Sequence, residues 1–432
     1  MKIENFVDKM HRLYSETEEF KPTTITFQVC DYCNLKCSYC YEVNKQNNSM
    51  PFEVAKTFID ELLENSPKTI SYVNSYDRTS VVLEFIGGEP FLKIDLIDEI
   101  TDYFISRAIE LHHPWALRYM ISITSNGTLY FEPKVQEYIK KNRRNLSLSI
   151  SVDGNKQLHD MCRVDANGNG SYDKAIAAVK HYMEYWHGNM STKLTLAPAN
   201  IEYAYDALKD LYTFGYDDAH FNCAFEEGWT SDHAKIYYEQ MKRFSDWMIE
   251  NDMVEKYHPF EFNPEFGHPT DPENTRNWCG STKYMLALDW RGDIYPCIRF
   301  MDSSLGDKQI PYCIGNIYDG IEYDDCTRCR VDCLNKVTRK TSSTDECFNC
   351  PISTGCANCN GYAYEVNGTP NSRTTYHCIM VKARSLFNCY LWNTYYRKKG
   401  ISKRYQLDCP KEWALEIIDE SEYDMLLSLS KE

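Results

Sequence analysis

Short apolar runs of strand length alternate along the chain with longer stretches in which apolar residues recur at helical spacing. The runs are Thr23 to Val29, Val81 to Ile86, Tyr119 to Thr124, Leu146 to Val152, Lys193 to Ala197 and Ala219 to Phe225. Between them lie helical patterns from Pro51 to about Asn65, from Leu96 to Leu111, from Pro133, from Tyr172 to Trp186 and from Ile201. Six strand-then-helix units predict a parallel sheet, because each helix returns the chain to start a parallel strand. Six units, where a closed barrel has eight, predict an α/β fold with a partial, TIM-like (β/α)6 barrel. Its chemistry is expected at the C-terminal ends of the strands.

The same pattern divides the chain. Residues 1–22 read as an amphipathic N-terminal helix, with Ile3, Phe6, Val7, Met10 and Leu13 on one face. The barrel is expected over 23–228 and a helical, then proline-broken linker over 229–275. Over 276–380 periodicity falls and cysteines crowd, as in a small metal-organised domain, and 381–432 returns to a helical tail. The start lacks the apolar core of a signal peptide and no run is long enough to cross a bilayer, so a cytoplasmic protein with no membrane partner is expected.

A formal charge of −16 argues against nucleic acid and for a small-molecule, peptide or basic partner. Nineteen cysteines without a secretion signal point to metal ligation in a reducing compartment more than to disulfides.

Cys33, Cys37 and Cys40 directly follow the first strand. Thiolates this close suit either an iron-sulfur cluster or zinc, with Cys30 a candidate fourth zinc ligand. Three thiolates on a four-iron cluster leave one iron open. The CxxxCxxC spacing, with Tyr39 before the last cysteine, resembles the signature of the radical SAM superfamily. That resemblance implies S-adenosylmethionine (SAM) chelated to the open iron and cleaved by one electron to a 5'-deoxyadenosyl radical. Gly87-Gly88-Glu89-Pro90 resembles the motif that holds the SAM amino group; alone, it would be a structural turn. Ser125 and Asn126 resemble the ribose-contacting segment, although Asn-Gly is also a common turn pair. Ser151-Val152-Asp153-Gly154, with His159, Asp160 and Arg163, resembles the SxDG and HDxxR segments. Ser151 or Arg163 would hold the SAM carboxylate, the alternative for Arg163 being a structural ion pair.

The second cysteine set, Cys279, Cys297, Cys347, Cys350, Cys356, Cys359 and Cys378, resembles the SPASM domain, which carries two auxiliary 4Fe-4S clusters in enzymes that modify peptides and proteins. The resemblance implies three clusters in all. Cys347, Cys350, Cys356 and Cys378 would hold the outer auxiliary cluster, and Cys279, Cys297 and Cys359 the inner one. The Cys356-to-Cys359 gap of two residues departs from the usual three. Cys313, Cys326, Cys329 and Cys333 are left as a possible fourth ligand, a zinc site or free thiols. Cys30, Cys162, Cys223, Cys389 and Cys409 are expected to pack as small hydrophobes.

In anaerobic sulfatase maturases an Asp follows the last cysteine of the first SPASM segment; here Ile298 follows Cys297 and cannot take a proton. The segment from Asp345 to Cys359 with His377-Cys378 looks most like peptide maturases of the CXXX-repeat type. This implies hydrogen abstraction from a ribosomally made precursor peptide to form a thioether or another side-chain crosslink, with a reductant such as flavodoxin or ferredoxin; carbon crosslinking, epimerisation and oxidation share the same first step. No winged-helix leader-binding domain fits ahead of residue 23, so the leader is expected to meet the barrel flank, the linker or a separate protein. The alternatives are formylglycine formation in a sulfatase and a non-catalytic iron-sulfur electron carrier.

Overall fold

The structure, a computed structural model, describes residues 22–186, 191–216, 218–225, 228–257, 259–277 and 279–431. The helix expected over 1–22 lies outside these, except for Pro22, which opens the first strand.

Six parallel strands form the barrel wall in sequence order: β1 (Pro22–Cys30), β2 (Ser80–Gly87), β3 (Tyr119–Ser125), β4 (Leu146–Ile150), β5 (Ser191–Leu196) and β6 (Asp218–Cys223). Helices α1 (Phe52–Leu63), α2 (Ile94–Glu110) and α3 (Pro133–Asn142) join the first four. Between β4 and β5 stand two helices, α4 (Lys156–Cys162) and α5 (Tyr172–Trp186), and α6 (Ala204–Phe214) precedes β6. Neither edge of this wall pairs with the other, so the barrel stays open.

Beyond β6, α7 (Ser231–Glu250) leads into irregular chain. The cysteine-rich region then contributes four short strands, β7 (Met285–Leu288), β8 (Asp293–Tyr295), β9 (Gly315–Asn316) and β10 (Gly320–Ile321). β7 runs parallel to β1, and β8, β9 and β10 follow antiparallel, giving one ten-stranded sheet in the order β10-β9-β8-β7-β1-β2-β3-β4-β5-β6. Because β1 is flanked on both edges, even its polar Thr26 and Gln28 are buried. Thr26 satisfies its hydroxyl on Glu84 at 2.6 Å, and Gln28 donates to Ser303 at 2.8 Å.

Among the described residues the remaining helices of eight residues or more are α8 (Asp325–Lys336), α9 (Asn360–Asn367), α10 (Cys378–Lys399) and α11 (Glu420–Lys431). α10 packs on α7, with the Phe387 ring 5.3 Å from Tyr237 and 4.8 Å from Phe262. Among the described residues no helix is long and apolar enough to cross a membrane.

Candidate active site

The loop after β1 is closed by its own hydrogen bonds and tied to the end of α4 and the chain after it. Asp31 accepts from the Asn48 backbone at 2.8 Å and its side-chain amide at 2.7 Å, while Lys36 and Ser38 donate backbone N–H groups to Val164 and Cys162. Within the loop Cys33 Sγ accepts from the Leu35 backbone at 3.4 Å, and Lys45 Nζ donates to Cys40 Sγ at 3.1 Å. Burial pushes the Cys33 thiol up to about 11 and also raises Cys37, the nearby Arg163 opposing the shift at Cys37.

The end of β2 rests on this loop. A Cβ on Gly87 would lie 2.2 Å from the Cys30 carbonyl oxygen, and one on Gly88 2.1 Å from that of Tyr32. Only glycine permits that approach. Glu89, 1% exposed, accepts from the Phe91 backbone at 3.0 Å, the Ser125 hydroxyl at 2.7 Å and the Asn126 backbone at 2.8 Å. Burial raises its carboxyl above the usual range, and these three donors pull it back. Pro90 opens the turn that follows. Glu89 therefore pins the β3 loop to the β2 loop. Asn126 extends the link, donating from Nδ2 to Asn34 at 2.8 Å and reaching Cys33 Sγ at 3.7 Å.

At the end of β4, Ser151 donates its backbone N–H to Ser125 at 3.0 Å. Arg163 is committed to Asp153, with Nε at 2.8 Å and Nη2 at 3.4 Å. Tyr39 donates its hydroxyl to the same carboxylate, and its ring lies 5.4 Å from the guanidinium. His159 accepts from the Asp153 backbone at 3.3 Å and meets Ser171 at 2.9 Å. Motif reading names Asp153 and His159 but not their partners, which only the fold supplies: Asp153 takes Arg163 and Tyr39, and His159 takes the Asp153 backbone and Ser171.

Seven of the remaining cysteines fall into two spatial sets. Cys297 feels the charges of Cys359 and Cys279, and burial drives its pKa well up. Cys378 feels Cys356, Cys347 and Cys350, and burial pushes it up to about 12. Arg299 lies beside the first set, easing ionisation of Cys297 and Cys359, and its guanidinium stands 5.2 Å from the Tyr41 ring next to Cys40. It thereby joins the β1 loop to the second thiol set. Cys313 instead donates to Gly315 O at 2.9 Å beside Asp293, and Cys326, Cys329 and Cys333 lie on α8.

These donors fit iron-sulfur clusters. Buried side-chain atoms of Asn358, Arg373, Thr374 and Tyr376 have no hydrogen-bond partner among the described residues. They lie close in sequence to Cys356, Cys359 and Cys378, where sulfide and thiolate sulfurs accept hydrogen bonds.

Residues 27–211 match the family described as the Radical SAM superfamily. A cysteine-type anaerobic sulfatase-maturating enzyme of Clostridium novyi is 27% identical over 35% of this chain and 38% of its own length. The antilisterial bacteriocin subtilosin biosynthesis protein AlbA of Bacillus subtilis is 23% identical over 68% of this chain and 59% of its own. The first curated relatives are matched over about a third to three fifths of their length, between 35% and 61%. The solved structure of anSMEcpe with bound AdoMet shares the fold, with a TM-score of 0.61 at 16% identity over 85% of this chain and 96% of that one.

Proposed function

With residues 27–211 forming a radical SAM domain, we propose that the protein is a radical SAM peptide maturase. When bound, a 4Fe-4S cluster and SAM supply a 5'-deoxyadenosyl radical that takes a hydrogen atom from a precursor peptide. Cys33, Cys37 and Cys40 hold that cluster. Gly87, Gly88, Glu89 and Pro90 shape the adjoining wall, Glu89 fixing Ser125 and Asn126 toward the SAM ribose. Ser151 stands ready for the SAM carboxylate, while Arg163, held by Asp153, acts through Tyr39 and the cysteine loop. Cys279, Cys297 and Cys359 hold an inner auxiliary cluster, and Cys347, Cys350, Cys356 and Cys378 an outer one. When bound there, these clusters would offer an acceptor for the second electron, and a flavodoxin or ferredoxin is the proposed source of the first.

The observation that carries this reading is the meeting of the loops after β1, β2, β3 and β4 around three thiols, with a second thiol set tied to the same mouth through Arg299 and Tyr41. For the substrate, the relative involved in bacteriocin biosynthesis aligns over 68% of the chain. Ile298 puts an aliphatic side chain where sulfatase maturation needs a base. Sulfatase maturation is the second reading, favoured by the Clostridium novyi relative. The test is to incubate the reconstituted protein with SAM, reductant and each cysteine-bearing peptide encoded beside it. Loss of two hydrogens and of a free thiol supports thioether formation; formylglycine in a sulfatase peptide supports the second reading.

A further inference from the structure

Of the nineteen cysteines only Cys326 and Cys329 are exposed, and they stand three residues apart in one helix. Neither belongs to the thiol sets above. α8 begins at Asp325, its N-cap Asp324 accepting from the Thr327 backbone at 2.7 Å, so the pair occupies the first turns of a capped helix. Residues at this spacing share a face. Helix geometry sets their Cα atoms about 5 Å apart, within the roughly 4.4–6.8 Å that a disulfide spans. It sets Cβ atoms about 5–6 Å apart, wider than the roughly 3.5–4.5 Å of a relaxed bridge. A bridge here would form only with some opening of the first turn, and exposed, strained bridges are the readily reduced ones.

We propose that Cys326 and Cys329 form a reversible dithiol-disulfide pair that exchanges with small-molecule disulfides. One protein thiolate attacks the small disulfide, expelling one thiolate and leaving a mixed disulfide. The second protein thiolate then attacks the protein sulfur of that bond, closing Cys326 to Cys329 and expelling the other half. The protein loses two electrons, the small disulfide gains them, and the two thiol protons pass to the released thiolates. Cys333 is the competing partner for Cys329, but it is partly covered and lies 4.0 Å from the Thr369 hydroxyl. Beneath the helix, Tyr312 donates to Arg330 O at 3.0 Å and packs on Tyr364 of α9, the helix that Cys359 caps.

The test treats the cluster-loaded protein anaerobically with excess oxidised glutathione, alkylates free thiols and maps the peptides. The expected result is a Cys326–Cys329 disulfide, unchanged iron content and full reversal by dithiothreitol. In Cys326→Ser, Cys329 is expected to stop at the glutathione mixed disulfide. No reaction at either residue, independent glutathione adducts in the parent, or a Cys329–Cys333 bridge would each overturn the proposal. The result does not depend on catalysis, so it stands or falls apart from the maturase reading.

Discussion

Arg163 and Asp153 form a buried ion pair at 2.8 Å, their side chains 11% and 3% exposed. Removing one partner strands a charge in the interior, so Arg163→Met should cost on the order of 3–5 kcal/mol of stability. The double change with Asp153→Asn should cost clearly less, because no unpaired charge remains. Denaturant titration of the two variants checks this. Equal losses would mean that Arg163 contributes through contacts other than Asp153, such as the Tyr39 ring.

Gly88 has no room for a methyl group against the Tyr32 backbone. Gly88→Ala should push the β2 loop off the cysteine loop, cost about 1–3 kcal/mol and lower iron retention at Cys33, Cys37 and Cys40. Gly228, around which a Cβ would meet nothing within 4 Å, is the control. Gly228→Ala should match the parent in both stability and iron content.

How far the sequence reaches is visible in these two positions. The glycine pair could be found from its motif, and the six barrel strands from apolar runs, since both signals are local. Arg163 was legible as a functional arginine or an ion-pair partner, and only the fold brings Asp153 and Tyr39 onto it. α4 went unseen because seven residues are too few to show a helical period. β7 to β10 went unseen because strands of two to four residues leave no alternation to read. Their pairing with β1 depends on contacts more than 250 residues apart in sequence, such as Thr24 with Met285.

His113 is fully buried, accepting from the Trp115 backbone at 3.1 Å and meeting Ser75 at 2.9 Å, and burial lowers its pKa to about 4. The unfolded chain takes up this proton near pH 6.5, the folded protein only near 4. Between those values the unfolded state binds more protons, so stability is complete above pH 6.5 and falls as the pH drops through the window. The loss is on the order of 3 kcal/mol. His113→Asn, which can still accept from Trp115, should flatten that part of the pH profile of thermal unfolding. An unchanged slope would assign it to other groups.

Arg299 bridges Tyr41 and Tyr362, at 5.2 and 5.8 Å, and pairs with the buried Glu365 at 3.1 Å. Cluster potentials follow local charge. Arg299→Met should therefore lower the midpoint potential of one auxiliary cluster, with Arg299→Lys recovering part of the shift. Redox titration followed by electron paramagnetic resonance reads it. A shift confined to the cluster at Cys33, Cys37 and Cys40 would contradict this placement.

The central claim rests most directly on SAM cleavage. Reconstituted protein, SAM and a strong reductant should yield 5'-deoxyadenosine, and a variant with Cys33, Cys37 and Cys40 all changed to Ala should yield none. Absence of product from the iron-loaded parent, with and without the neighbouring precursor peptides, would contradict the account and leave an iron-sulfur electron carrier in its place.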